Sequence, residues 1–236
     1  LARWADAVAS SFPQLQGLPG EAEKKLTVTG NPVRDIALQQ KAAPYPPFDR
    51  FNLLVFGGSQ GAQFFGEFMP KVFAAMPADE RAGISLTQQV RAENMDAVSA
   101  AYRGLGLDCD LNPFFMDMPK RIANAHLVVC RSGASTMAEL TTIGRPALLV
   151  PYPHAIDDHQ TANGEALAEA GGAILMPQSG FTPEALAARL ASLLTDPGAL
   201  ADMAARALAA GHPEAAARLA DLIAELAGAK TKEVIS

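Results

Sequence analysis

Cysteine is nearly absent: the chain carries two, Cys109 and Cys130, in 236 residues. That is too few for a disulfide framework and suits a reducing compartment. Basic residues are outnumbered, Lys+Arg 19 against Asp+Glu 25, for a net charge of −6. A general nucleic-acid binder needs a phosphate-neutralising basic surface, and this balance argues against one. No apolar run approaches the ~20 residues of a membrane span. Residues Leu1–Phe12 lack the basic start and long apolar stretch of a signal peptide. Charged residues make up only 19% of the chain and hydrophobic ones 49%, which excludes a disordered, solvating chain. There is no Gly-Lys-Ser/Thr phosphate loop and no complete GxGxxG, so classical dinucleotide use is not expected. What remains is a soluble cytosolic globular protein, long enough to bury roughly 70–75% of its unfolded surface without staples. Its opening (Leu1 in place of Met, then Trp4, Val8 and Ser11-Phe12-Pro13) reads as a helix end running into a short strand, as expected of a piece of something longer.

Pro13, Pro19, Pro32, Pro44, Pro46 and Pro47, out of 17 prolines, crowd residues 13–50. Such density breaks helices and denies strands their donors, so this segment reads as linker and surface loop. The texture then becomes regular. Short apolar runs at Phe51–Phe56, Ile84–Val90, Cys109–Asn112, Leu127–Cys130, Ala147–Val150 and Ala173–Met176 read as strands. Helical patterns separate them, at about 62–76, 93–104, 118–124, 135–143, 159–170 and 182–195, followed by an Ala-rich tail of two helices broken at Gly211-His212-Pro213. Alternation of this kind predicts an α/β fold: a Rossmann-like, doubly wound parallel sheet of six strands covered on both faces. The commonest order for six such strands, 3-2-1-4-5-6, opens a crevice between the first and the fourth. The loops that follow those two strands, Gly57-Gly58-Ser59-Gln60-Gly61 and Arg131-Ser132-Gly133-Ala134-Ser135-Thr136, are also the most Gly/Ser-rich strand-to-helix turns. That coincidence locates a ligand site without any motif.

Each motif has a functional reading and a plainer one. The 57–61 glycines let backbone N–H groups approach an anion at a helix N-terminus, where the dipole adds roughly half a positive charge; they also suit a tight turn. Thr136 and Glu139 have capping-box spacing, which would explain both. Alternatively, the hydroxyls and amides of this turn bind a diphosphate and Glu139 accepts from the vicinal hydroxyls of a ribose. His154, Asp157, Asp158 and His159 invite a metal reading, but a single short loop usually needs a further ligand from elsewhere, so no metal is expected. Gln160 and Asn163, three apart at a helix start, suit sugar hydroxyls, or a solvated first turn. Cys109 and Cys130 fall in apolar strands and read as small hydrophobes. Phe114, Phe115, Met116 and Met118 read as core or pocket wall, or as a stacking surface for a base.

Taken together, Gly30-Asn31-Pro32-Val33-Arg34, Gly57-Gly58-Ser59-Gln60-Gly61-Ala62, Cys130-Arg131-Ser132-Gly133-Ala134 with Glu139, and Asp158-His159-Gln160-Thr161-Ala162-Asn163 occur in an order that resembles the C-terminal half of the MurG-type family. These are bacterial N-acetylglucosaminyltransferases of the peptidoglycan lipid cycle. The resemblance covers nearly the whole chain and implies the C-terminal half of a two-domain GT-B glycosyltransferase. It implies transfer of GlcNAc, with inversion and without a required metal or other cofactor, from UDP-GlcNAc to a lipid-linked muramyl-pentapeptide acceptor. It also implies a division into 1–34 (end of an acceptor domain and linker), 35–214 (UDP-GlcNAc-binding domain) and 215–236 (a helix returning to the acceptor domain). The implied donor-binding residues are Arg34, Ser59, Phe115, Ala134, Ser135, Thr136, Glu139, Gln160 and Asn163. Arg34 would lie near the nucleotide, Ser59 near the diphosphate, Phe115 would read uracil through its backbone, and Gln160, backed by Asn163, would read the sugar. Catalytic groups, acceptor and membrane contacts are implied for an N-terminal domain outside this sequence, at the cytoplasmic face of the inner membrane. A UDP-GlcNAc 2-epimerase-like enzyme shares the architecture, but the acid/base carboxylates it needs are not apparent. A non-catalytic subunit that works with a membrane partner is the other alternative.

Overall fold

The computed structural model describes residues 2–12, 17–155, 158–179 and 182–234, without the side chains of residues 3, 59–62 and 229–234. Among the described residues the strands form two sheets. The larger holds β3 (Phe51–Phe56), β4 (Ile84–Gln89), β5 (Cys109–Asn112), β6 (Leu127–Cys130), β7 (Ala147–Leu149) and β8 (Ala173–Leu175), in the order β5-β4-β3-β6-β7-β8. All its pairings are parallel. Counted along the chain from β3, this is the expected 3-2-1-4-5-6 order, with the switch point between β3 and β6.

The sheet is covered on both faces, and β3 records it residue by residue. Leu53 and Val55 join one apolar cluster, Leu54 and Phe56 the other. Successive strand side chains point to opposite faces, so an unbroken apolar run needs a layer on each side. One layer comprises α3 (Gly58–Ala75), α5 (Met95–Gly104) and α9 (Pro183–Leu194), which bring Phe65, Met69, Phe73, Tyr102, Leu186 and Leu190. The other comprises α6 (Met118–Asn124), α7 (Ala134–Ile143) and α8 (His159–Glu169), which bring Ile122, Met137, Leu140, Ile143 and Leu167. Each fully buried Leu, Phe or Met contributes roughly 1.5–3 kcal/mol. Cys130 packs within the second cluster as a free thiol. The tail forms α10 (Pro197–Ala209) and α11 (Ala215–Val234), separated near Gly211-His212-Pro213.

Residues 17–50 are more ordered than a linker. Within them lie α1 (Gly20–Glu23), α2 (Asp35–Leu38) and β2 (Leu26–Val28), which pairs in parallel with β1 (Val8–Ser10) as the second sheet. The Pro-rich stretch that follows is pinned rather than loose. Proline removes an amide donor but leaves its carbonyl free, and two buried side chains collect those carbonyls. The Arg145 guanidinium donates to the carbonyls of Ala43 at 3.1 Å, Pro44 at 2.6 Å, Gly144 at 2.8 Å and Ala123 at 2.9 Å. His126 Nδ1 accepts from Asn52 N–H at 2.9 Å, so its Nε2 carries the hydrogen that faces the Pro47 carbonyl at 3.1 Å. Tyr45, Phe48 and Phe51 surround that ring. Periodicity could not reveal this packing, because the donors lie about 80–100 residues away in sequence. No helix among the described residues is long and apolar enough to cross a membrane.

Candidate functional site

The carboxyl ends of β3 and β6 lead into two helix N-termini with glycine N-caps, Gly57 for α3 and Gly133 for α7. The first four amides of a helix have no intrahelical acceptor, and neither glycine has a side chain to satisfy them. Two helices remote from the switch point, α9 and α10, are finished differently. Thr182 caps α9 by accepting from Ala185 N–H, and Asp196 caps α10 by accepting from Ala199 N–H. At the crevice the sequence leaves positive helix ends without a side chain of their own.

Gly58 sits at φ +64°, a conformation that glycine adopts without cost. Nothing lies within 4 Å of where its Cβ would be, so the requirement is conformational rather than spatial. Ser59 is on the first turn of α3, but its side chain lies outside those described. On α7, Ala134 and Ser135 are exposed and Thr136 half-buried at the first turn.

The capping box expected from Thr136 and Glu139 is not formed. The helix begins at Ala134, which places Thr136 too far along to act as the N-cap. Glu139 instead turns toward Arg34, the N-cap residue of α2. Arg34 Nε and Nη2 both reach Glu139 Oε1, each at 2.8 Å. Two donors on one oxygen leave Oε2 of this 10%-exposed carboxylate for another partner, while the arginine is 60% exposed. Two residues 105 positions apart, both carried by the resemblance, are thus in direct contact.

Gln160 stands on the first turn of α8 and Asn163 on the second; the N-cap residue Asp158 has a left-handed backbone and accepts from the Thr161 hydroxyl at 2.6 Å. Gln160 Oε1 accepts from Tyr152 N–H at 3.0 Å, and its carbonyl accepts from the Ser132 hydroxyl at 2.6 Å. Asn163 Nδ2 donates to the Ser132 carbonyl at 3.1 Å. The Asn163 amide and the Gln160 carbonyl therefore lock α8 to the turn that starts α7, while the Gln160 amide ties it to the loop after β7. Phe115 is 5% exposed beneath the Arg121 guanidinium, 4.1 Å from its ring centroid, whereas Phe114 and Met116 are 66% and 80% exposed. Asp157, from the acidic cluster, lies outside the described residues. Among those described, no three His, Cys, Asp or Glu side chains come together as a metal site.

Two long polar side chains that sequence reasoning left without a role tie the loops on either side of the switch point. Arg131 donates to the carbonyls of Val150 at 3.0 Å and Pro151 at 2.8 Å and to Gln178 Oε1 at 2.9 Å, which joins the loops after β6, β7 and β8. Burial lowers its pKa to about 10, against the pull of Tyr152 and Cys130, so it stays charged at neutral pH. Arg131, Tyr152 and Gln178 also line a pocket of about 460 Å³ with Arg91 and the α3 residues Gln63 and Phe64. Gln89, at the end of β4, ties the loops after β3 and β5. Its one sequence signal is an amide where an alternating strand meets the crevice edge.

A family model described as glycosyltransferase family 28 C-terminal domain matches residues 52–219. The chain belongs to this family. Family 28 relatives named UDP-N-acetylglucosamine–N-acetylmuramyl-(pentapeptide) pyrophosphoryl-undecaprenol N-acetylglucosamine transferase are 52% identical over 231 residues in Rhodospirillum centenum and 48% identical over 234 residues in Brucella abortus. The alignments cover 97% and 98% of this chain and 61% of each relative, so the chain spans about three fifths of their length. The crystal structure of Acinetobacter baumannii MurG superposes with a TM-score of 0.75 at 32% identity, over 95% of this chain and 62% of that one. The β3–β8 sheet apart from Phe51, both glycine-capped turns and the Glu139 helix fall within the family 28 match.

Proposed function

We propose that this chain is the UDP-GlcNAc-binding part of an inverting N-acetylglucosaminyltransferase that acts on an undecaprenyl-pyrophosphoryl-MurNAc-pentapeptide acceptor in peptidoglycan synthesis. The observation that carries the reading is the crevice itself. Two helix N-termini with glycine in place of an N-cap side chain converge at the switch point, beside a carboxylate that has one oxygen held and one open.

The chemistry follows from that arrangement. Glycosyl transfer breaks the bond between the anomeric carbon and the diphosphate, so negative charge grows on the departing UDP. Amides of the α3 and α7 first turns, with Ser59, Ser135 and Thr136, face that charge, and both dipoles are already oriented toward it. No reorganisation is needed as the charge develops. Glu139 Oε2 accepts from the ribose hydroxyls, and Arg34 keeps the carboxylate in place. The backbone of Phe115 reads the uracil edge. Gln160 keeps its amide N–H₂ for a sugar hydroxyl while its oxygen secures Tyr152, and Asn163 holds Ser132 beneath. The catalytic base and the acceptor and membrane contacts come from the remaining two fifths of a protein of the relatives' length, at the cytoplasmic face of the inner membrane. On this reading residues 1–34 and 215–236 are the parts that meet that acceptor domain.

Calorimetric titration of the chain with UDP-GlcNAc, with and without a chelator, tests the reading. Saturable one-to-one binding that is unchanged by chelator is expected. No binding, or binding abolished by chelator and restored by Mg²⁺ or Mn²⁺, would overturn the helix-end account.

A further inference from the structure

Gln89 is the last residue of β4, the strand between β3 and β5, and its register partner on β5 is Asn112. Its half-buried side chain reaches in both directions. Oε1 accepts from Gly58 N–H at 3.2 Å and, at the longer distance of 3.4 Å, from Gly57 N–H. Nε2 donates to the Pro113 carbonyl at 3.2 Å. One planar amide thus joins the turn that starts α3 to the loop carrying Phe114 and Phe115. These loops leave strands that are not neighbours, so no ladder hydrogen bond fixes their separation.

The chemistry of the position is narrow. The Gly57-Gly58 turn has left-handed backbone at Gly58, and glycines lose the most conformational freedom on ordering. Its amides require an acceptor. The carbonyl on the other loop requires a donor. Among side chains of this length, only glutamine offers both on one rigid group.

We infer that Gln89 is a positioning residue which sets the distance between the diphosphate-binding turn and the base-reading loop, and so tunes the site to a ligand carrying base and diphosphate together. This rests on the donor reading above. Gln89 need not touch the ligand. It orders two contact surfaces in advance, and the ordering that is already done does not count against binding. The benefit reaches only a ligand that spans both loops. Uridine alone or pyrophosphate alone would gain little from it.

The test compares three probes, namely uridine, inorganic pyrophosphate and UDP, by NMR titration of the parent chain and of Gln89→Met and Gln89→Leu. The expected result is a loss of about tenfold or more for UDP, with uridine and pyrophosphate within about twofold of the parent. A residue that served only the fold would lower the melting temperature and leave the ratio of UDP to uridine affinity unchanged. Equal losses for all three probes, or no loss for UDP, would overturn the role of Gln89. A parent that binds none of the probes would overturn the donor reading, and this role with it. Amide exchange in the unliganded parent gives a check that needs no variant. Gly58 N–H should exchange more slowly than an open loop amide, and exchange at the open rate would show that the tie does not exist.

Discussion

Removing the Glu139 carboxylate should weaken UDP binding far more than it weakens the fold. The two effects can be separated because the geometry assigns them different partners. Oε1 is taken by Arg34, and that pair contributes little to stability, since Arg34 is 60% exposed. Pairs with so exposed a partner contribute about 0–1 kcal/mol. For a chain of this size that is a shift of roughly 2–4 °C in melting temperature at most. Oε2 is the oxygen assigned to the ribose, and losing hydrogen bonds to a charged acceptor costs about 1.5–3 kcal/mol, or roughly 10- to 150-fold in Kd. The informative experiment is a double-mutant cycle of Arg34→Ala and Glu139→Ala, with UDP affinity read by calorimetry and folding by thermal denaturation. If Arg34 acts largely by orienting Glu139, its removal should cost clearly less once Glu139 is gone. Unchanged UDP affinity in folded Glu139→Ala would refute the ribose role. An Arg34 effect of the same size in both backgrounds would refute the coupling.

Three further expectations follow from other parts of the molecule. Arg145→Met should cost about 3 kcal/mol or more in urea denaturation, because several buried carbonyls lose charge-assisted bonds of about 1.5–3 kcal/mol each; a loss below about 1 kcal/mol would contradict the carbonyl cage. Burial holds the pKa of His126 below its usual value, in spite of its bonds to the Pro47 and Pro46 backbone. The unfolded chain therefore takes up this proton first, and stability should fall as pH drops below about 6.5, by at most about 1.4 kcal/mol per pH unit. Denaturation curves of His126→Asn should lack that component, and an identical pH profile would contradict the assignment. Gln160→Ala should leave UDP affinity unchanged and reduce the preference for UDP-GlcNAc over UDP-GalNAc, since an amide built for one hydroxyl penalises its epimer; an unchanged preference would remove Gln160 from the sugar site.

How much of this was legible in the sequence varied with the range of the interaction involved. The strands of the large sheet were readable because burial on both faces leaves unbroken apolar runs such as Phe51–Phe56. The switch point followed from strand order, and the turns at Gly57 and Gly133 follow from local backbone chemistry. Contacts between distant residues were not readable. Thr136 and Glu139 have the spacing of a capping box, yet Arg34 claims the carboxylate from 105 residues away. The order within residues 17–50 was hidden because its prolines suppress local signals, while Arg145 and His126 supply the donors from across the fold. Gln89 and Arg131 carry no motif for their tying roles, which exist only once the strands lie side by side.

A crystal structure of the chain with UDP-GlcNAc bound tests the central claim most directly. The account expects the diphosphate against the first turns of α3 and α7, and the ribose hydroxyls about 3 Å from Glu139 Oε2, within hydrogen-bond distance. A nucleotide seated instead in the pocket between Arg131, Tyr152 and Arg91, with Glu139 still held only by Arg34, would contradict it.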